Sequence, residues 1–142
     1  MQSLYSYMLT ESAKNPGRIF VIVKPGFLKL SQVILERFAK DGWKLEMSKT
    51  KQLLLSEAKK LYAIHKKEDW YKPLCEYMSS EPTTAFILKN DAVPMSPKVF
   101  ELTGAIKDEI REKYGESEMR NVIHSSDSIE HMATEKAIYF AI

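Results

Sequence analysis

His124 closes a short apolar run, Asn121-Val122-Ile123, and is followed at once by Ser125-Ser126-Asp127-Ser128 and later by Glu135. An imidazole at a strand exit, beside small hydroxyl residues and a helix start, is placed to act as a nucleophile. The ordinary imidazole pKa of about 6.5 leaves the ring largely neutral near pH 7, and covalent capture of a group splits one difficult transfer into two easier ones. A neighbouring carboxylate or hydroxyl on the non-attacking nitrogen would fix the tautomer and stabilise the positive charge. Read alone, a histidine after an apolar strand is more often structural, so these residues leave both readings open.

The chain that must position this group has 142 residues, enough for one compact domain with its own core. Hydrophobic residues make up 44% and charged residues 28%, and no apolar run approaches the ~20 residues of a membrane-spanning helix, so a globular chain with no membrane association is expected. The N-terminus lacks the basic start and apolar stretch of a secretion signal, and Cys75 is the only cysteine, which points to a reducing, cytoplasmic setting. A net charge of +2 is too small to indicate nucleic acid as a partner.

Residues 1–17 read as an N-terminal extension ending in Asn15-Pro16-Gly17, and 18–142 as the domain. Ile19-Phe20-Val21-Ile22-Val23 is nearly all apolar and β-branched, the pattern of a central buried strand, and Lys24-Pro25-Gly26 ends it. Leu30, Val33, Ile34 and Phe38 recur at helical spacing. Trp43, Leu45 and Met47 alternate with polar residues as a strand with one wet face would. Helices are expected from Ser56 through Leu61 and over Trp70–Met78, and a third strand over Thr83–Leu88. Beyond Asn90, Pro94 and Pro97 suggest a loop, with one or two helical turns at Val99–Leu102 and a separate helix over Ile106–Tyr114. Asn121–His124 supplies the fourth strand, and Asp127 with Glu130 looks like the cap of a helix through Met132–Lys136. The order predicts an α+β fold of the ferredoxin-like type, a four-stranded antiparallel sheet covered by helices.

Four separated blocks of this sequence resemble the nucleoside diphosphate kinases, over about residues 18 to 140. They are Lys24-Pro25 after the first strand; Tyr62 and Trp70; Ile110-Arg111; and the run Asn121, His124, Ser126, Asp127, Ser128 with Glu135. The resemblance implies a kinase that moves the γ-phosphate of a nucleoside triphosphate to a nucleoside diphosphate through a phosphohistidine on His124, with Glu135 and Ser126 supporting the ring. It also implies a phosphate clamp of Lys24, Arg111 and Thr103 with Tyr62 nearby, Asn121 as a further nucleotide contact, and Trp70 and Leu74 around the base. Mg²⁺ would enter on the substrate phosphates without a set of protein ligands. Partners would be nucleoside triphosphates and diphosphates, and the chain would assemble with itself as a hexamer, tetramer or dimer.

The pattern is departed from at several positions. The family aspartate after lysine-proline is Gly26 here and the next glycine is Phe27, so the turn supporting Lys24 must be held differently. The segment between Val93 and Arg111 is shorter than in common members, and a second phosphate-binding arginine aligns with Pro97, which leaves the adjacent Lys98 as the replacement cation. Glu118 stands where an apolar residue lies beneath the base. These departures keep a rival in view, a nucleotide-binding or scaffold member with an impaired clamp. His65, His131 and the lysines at 59, 60, 66 and 67 are expected at the surface, and Cys75 in the core.

Overall fold

The structure, a computed structural model, describes residues 15–140. Four strands, β1 (Pro16–Val23), β2 (Lys44–Lys51), β3 (Thr83–Pro94) and β4 (Ile123–Ser125), form one antiparallel sheet in the order β2-β3-β1-β4. Five helices join them: α1 (Ser31–Lys40), α2 (Leu55–Leu61), α3 (Tyr71–Met78), α4 (Lys98–Tyr114) and α5 (Ile129–Tyr139). This is the expected ferredoxin-like arrangement, with helices on both faces of the sheet.

Strand β1 is buried on both faces because its alternate residues feed two cores. Ile19, Val21 and Val23 pack with Ile34 and Phe38 of α1 and with Val99, Ile106 and Ile110 of α4. Phe20 and Ile22 point the other way, into a cluster with Ala58, Leu61, Leu74, Cys75 and Met78 of α2 and α3 and Met132 and Tyr139 of α5. Period-two alternation therefore places two helices on one face and three on the other.

The other elements differ from their sequence reading in instructive ways. Residues 1–14 of the expected extension lie outside the described residues, and Pro16 and Gly17 already belong to β1. Strand β2 starts after Trp43, which is itself buried, and has no buried face: Leu45 and Met47 are 48% and 38% exposed because β2 forms the edge of the sheet. Strand β3 continues through the expected loop to Pro94, paired with β1. The two helical pieces expected after Pro97 are one 17-residue helix, α4. Gly104 interrupts its pattern at an intrinsic cost of ~1 kcal/mol, which burial of Val99, Thr103, Ile106 and Ile110 offsets. The helix stops at Gly115, where a Cβ would lie 2.5 Å from the Arg111 carbonyl oxygen. Helix α5 is capped by Ser128, whose hydroxyl accepts from the His131 N–H, rather than by Asp127. No helix among the described residues is long and apolar enough to cross a membrane.

Phe20 is fully buried and packs against Tyr139 with ring centroids 5.8 Å apart. Phe20→Ala should cost about 3–5 kcal/mol in urea unfolding; a loss below about 1 kcal/mol would mean that β1 does not anchor the second core.

Candidate active site

A cavity of about 610 Å³ opens where the end of β1, the α2–α3 region, α4, β4 and α5 converge. Topology makes it: β1 ends at Val23, so Lys24 emerges beside β4, where Ile22 pairs with His124. The Lys24 N–H donates to the Val122 carbonyl at 2.8 Å and the Ser126 N–H to the Phe20 carbonyl at 3.1 Å, which ties the histidine segment to the central strand. Val122 has φ 79°, the left-handed region that a β-branched residue adopts only under strain, one residue before β4 and two before His124.

His124 Nε2 lies 2.8 Å from Glu135 Oε1, and Ser126 Oγ donates to the other Glu135 oxygen. Glu135 is buried, and both of its oxygens are engaged. With a carboxylate accepting from Nε2–H, the neutral tautomer carries its lone pair on Nδ1, the nitrogen left available for attack. The edge of the Tyr62 ring packs against the imidazole at a centroid distance of 5.6 Å and 79°. Burial, and secondarily the Glu135 charge, pushes the Tyr62 phenol well above its ordinary pKa, so it is a neutral donor. Its hydroxyl has no partner, and neither does the buried Asn121 Oδ1, whose own amide N–H₂ donates to the Glu118 carbonyl at 2.8 Å. Both atoms belong to residues of the cavity wall and are without a protein partner among the described residues.

The wall carries four cations, Lys24, Lys107 and Arg111 together with the exposed Lys60. Lys24 is 3% exposed, and burial, followed by the charges of Arg111 and Lys107, lowers its pKa to about 7. Its ammonium donates to the Met119 carbonyl at 3.3 Å. Arg111 donates from Nε and Nη2 to the Ile123 carbonyl at 3.0 and 2.8 Å, and burial lowers its pKa. Lys107 lines the same wall, its pKa lowered by burial and then by Arg111. Burial and mutual proximity lower the lysine pKa values although Glu118, Asp127 and Glu135 share the wall, and an anion placed against these cations would offset that cost.

Trp70 and Leu74 form an apolar end of the cavity. His65 does not lie at the surface away from function as expected; its ring packs on Trp70 at 4.8 Å, and it lines the cavity. His131 also lines it, paired through Nδ1 with Asp127 at 2.5 Å, which raises its pKa and lowers that of the aspartate. Ser126 lies behind Glu135, outside the wall. Two nominated residues stand apart from the cavity. Thr103 is buried and donates to the Val99 carbonyl at 2.8 Å, and Lys98 is exposed at the start of α4. Lys107 escaped the sequence reading, although its four-residue spacing from Arg111 would have revealed it once α4 was read as one helix.

The turn after Lys24 is indeed held differently from the family pattern. Gly26 has φ +88°, and a Cβ there would lie 2.8 Å from Arg120 Nη2. The Arg120 guanidinium sits over the rings of Phe27 and Tyr77 at 5.4 and 5.3 Å, and the Tyr77 hydroxyl donates to the Pro25 carbonyl. Glycine at 26 makes room for the arginine, and the arginine and Tyr77 brace the turn.

The family model for nucleoside diphosphate kinase matches residues 17–142. The nucleoside diphosphate kinase of Kosmotoga olearia is 33% identical over 129 residues, 87% of this chain and 88% of that protein. That of Campylobacter fetus is 34% identical over 128 residues, 84% and 92% of the two chains. The crystal structure of the Aquifex aeolicus nucleoside diphosphate kinase superposes with a TM-score of 0.72 at 28% identity, covering 88% of this chain and 95% of that one. With the sheet order and the histidine cavity already in place, these likenesses show that the chain belongs to the nucleoside diphosphate kinase family.

Proposed function

We propose that this protein is a nucleoside diphosphate kinase working by a ping-pong mechanism through His124. The observation that carries the reading is the His124–Glu135–Ser126 relay, which leaves Nδ1 unpartnered at a cavity walled by cations. The Nδ1 lone pair forms a bond to the γ-phosphorus of the triphosphate as the β–γ bridging P–O bond breaks, its electron pair leaving on the diphosphate. Glu135 keeps the Nε2 proton on the ring and offsets the imidazolium charge. In the second half-reaction a terminal oxygen of another diphosphate attacks the same phosphorus and the N–P electron pair returns to Nδ1.

The transferring group spreads negative charge over its oxygens, so donors fixed beforehand supply most of the acceleration. Lys24, the neutral Tyr62 hydroxyl and the remaining Arg111 N–H groups fill that role. Asn121 Oδ1 accepts from a sugar hydroxyl, and Trp70 and Leu74 pack on the base, a contact that tolerates different bases. Mg²⁺ would arrive on the substrate phosphates, and Asp127, which lines the cavity, is the carboxylate that would hold it there. When bound, Mg²⁺ supplies charge neutralisation of the phosphate oxygens. Homo-oligomerisation and a cytoplasmic location belong to the same proposal, supported by family membership.

Incubation with γ-labelled ATP and Mg²⁺ should yield an acid-labile phosphoenzyme that discharges to GDP, and His124→Ala should abolish both steps. Normal transfer by that variant would end the assignment; nucleotide binding by the native chain without phosphoenzyme would select the impaired-member reading. A second expectation concerns Lys24, whose pKa of about 7 leaves much of it neutral above neutrality in the empty site. A bound polyphosphate favours the charged ammonium and raises that pKa. Between about pH 7 and 9, ADP binding should therefore take up protons and weaken as pH rises, as calorimetry in buffers of different ionisation enthalpy would register. Equal proton uptake by Lys24→Met would sink this attribution.

A further inference from the structure

The two clamp cations that the sequence pattern supplies are both partly engaged in holding backbone. Arg111 places two N–H groups on the Ile123 carbonyl, and Lys24 donates to the Met119 carbonyl. Lys107 stands beside them on the cavity wall, half-buried, with no hydrogen bond or ion pair to its ammonium among the described residues. The carboxylates nearest in effect are Asp108, Asp127 and Glu135. Asp127 is bonded to His131, and Glu135 to His124 and Ser126. Lys107 and Lys60 are the lysines of the wall whose ammonium groups have no such partner among the described residues, and of the two Lys107 is the half-buried one, a turn from Arg111, while Lys60 is exposed.

Helix phase decides between Lys107 and the lysine adjacent to the missing arginine. Because α4 runs unbroken over Lys98–Tyr114, Lys107 and Arg111 lie about 40° apart in azimuth and about 6 Å apart along the axis. Lys98 lies nine residues before Lys107, about half a revolution around the helix and ~13 Å further along it. A continuous helix that points Arg111 into the cavity carries Lys107 with it and turns Lys98 away.

We propose that Lys107 is a nucleotide-phosphate-binding residue of this enzyme, supplying the cation lost where Pro97 replaces an arginine. The proposal rests on the nucleotide reading of the cavity. An ammonium one turn from Arg111 extends the clamp along the polyphosphate by adding a point charge with three donors rather than a planar fork.

The test compares the full-length native chain with Lys107→Met, Lys107→Arg and Lys98→Ala. ADP affinity is measured with Mg²⁺ by calorimetry, unfolding temperature without ligand, and phosphoenzyme formation with γ-labelled ATP. Lys107→Met keeps the apolar stem and removes the charge, so it should weaken ADP about ten- to a hundredfold at an unchanged unfolding temperature. Lys107→Arg should recover most of the loss. ADP affinity within twofold of native in Lys107→Met, no recovery in Lys107→Arg, or a comparable loss in Lys98→Ala overturns the proposal. A native chain that binds ADP and forms no phosphoenzyme defeats the kinase reading while the Lys107 comparison still decides this one. Failure of the native chain to bind ADP overturns both.

Discussion

Burial of β1 on both faces is the constraint from which the rest of the molecule follows. Ile19 to Val23 expose almost nothing, so every helix that covers the sheet does so against this strand or its neighbour β3. Such a strand cannot shift register without moving one core's side chains into the other. Its end is correspondingly well placed, and the site is hung there. Lys24 continues β1, β4 pairs with its last residues, and two backbone hydrogen bonds join Lys24 to Val122 and Ser126 to Phe20. A rigid element thus delivers both the nucleophile and a cation to one place, which phosphoryl transfer requires because alignment and fixed charge do most of the catalysis.

The site concentrates unfavourable features that the surrounding fold sustains. Val122 holds a positive φ, Tyr62 and Asn121 bury unpartnered polar atoms, and burial followed by the Arg111 charge lowers the pKa values of Lys24 and Lys107. Strain of order 1–3 kcal/mol at a single backbone position persists only when neighbouring contacts over-determine it. Here the Lys24–Val122 hydrogen bond and the Arg111 grip on the Ile123 carbonyl provide that determination. In the proposed function these are the cations that a polyphosphate would neutralise, so ligand binding would relieve what folding has to sustain.

Departures from the family pattern are compensated nearby in space and far away in sequence. Gly26 is required by its φ of +88°, and the space beside it is taken by the guanidinium of Arg120, ninety-four positions later. Tyr77, on α3, completes the brace through the Pro25 carbonyl. After Val93 the chain completes β3 at Pro94 and enters α4 at Lys98, with only three residues between them. Each change keeps the Lys24 turn and the Arg111 face where the histidine needs them.

Much of this was legible in the sequence, for a physical reason: the burial of β1 and the composition of the histidine run are properties of residues within a few positions of one another, whereas the cap expected at Asp127 falls at Ser128. The β-branched run of β1 announced a two-faced strand, whereas the histidine run read alone left a structural and a nucleophilic role open, and the family resemblance favoured the second. What lay beyond reach depends on the relative phase and position of separated elements. Whether Leu45 and Met47 have a buried face is decided by the sheet order that leaves β2 at the edge. Whether Lys98 or Lys107 lines the cavity is decided by the continuity of α4 through Gly104, which local propensity argues against and burial of the helix secures. Which imidazole nitrogen is left to react is decided by the packing of α5, which brings Glu135 to Nε2. The sequence by itself determined the residue types and the chemistry they allow; the tertiary structure decided which atoms meet, because distances between elements far apart in the chain are set by the shared core.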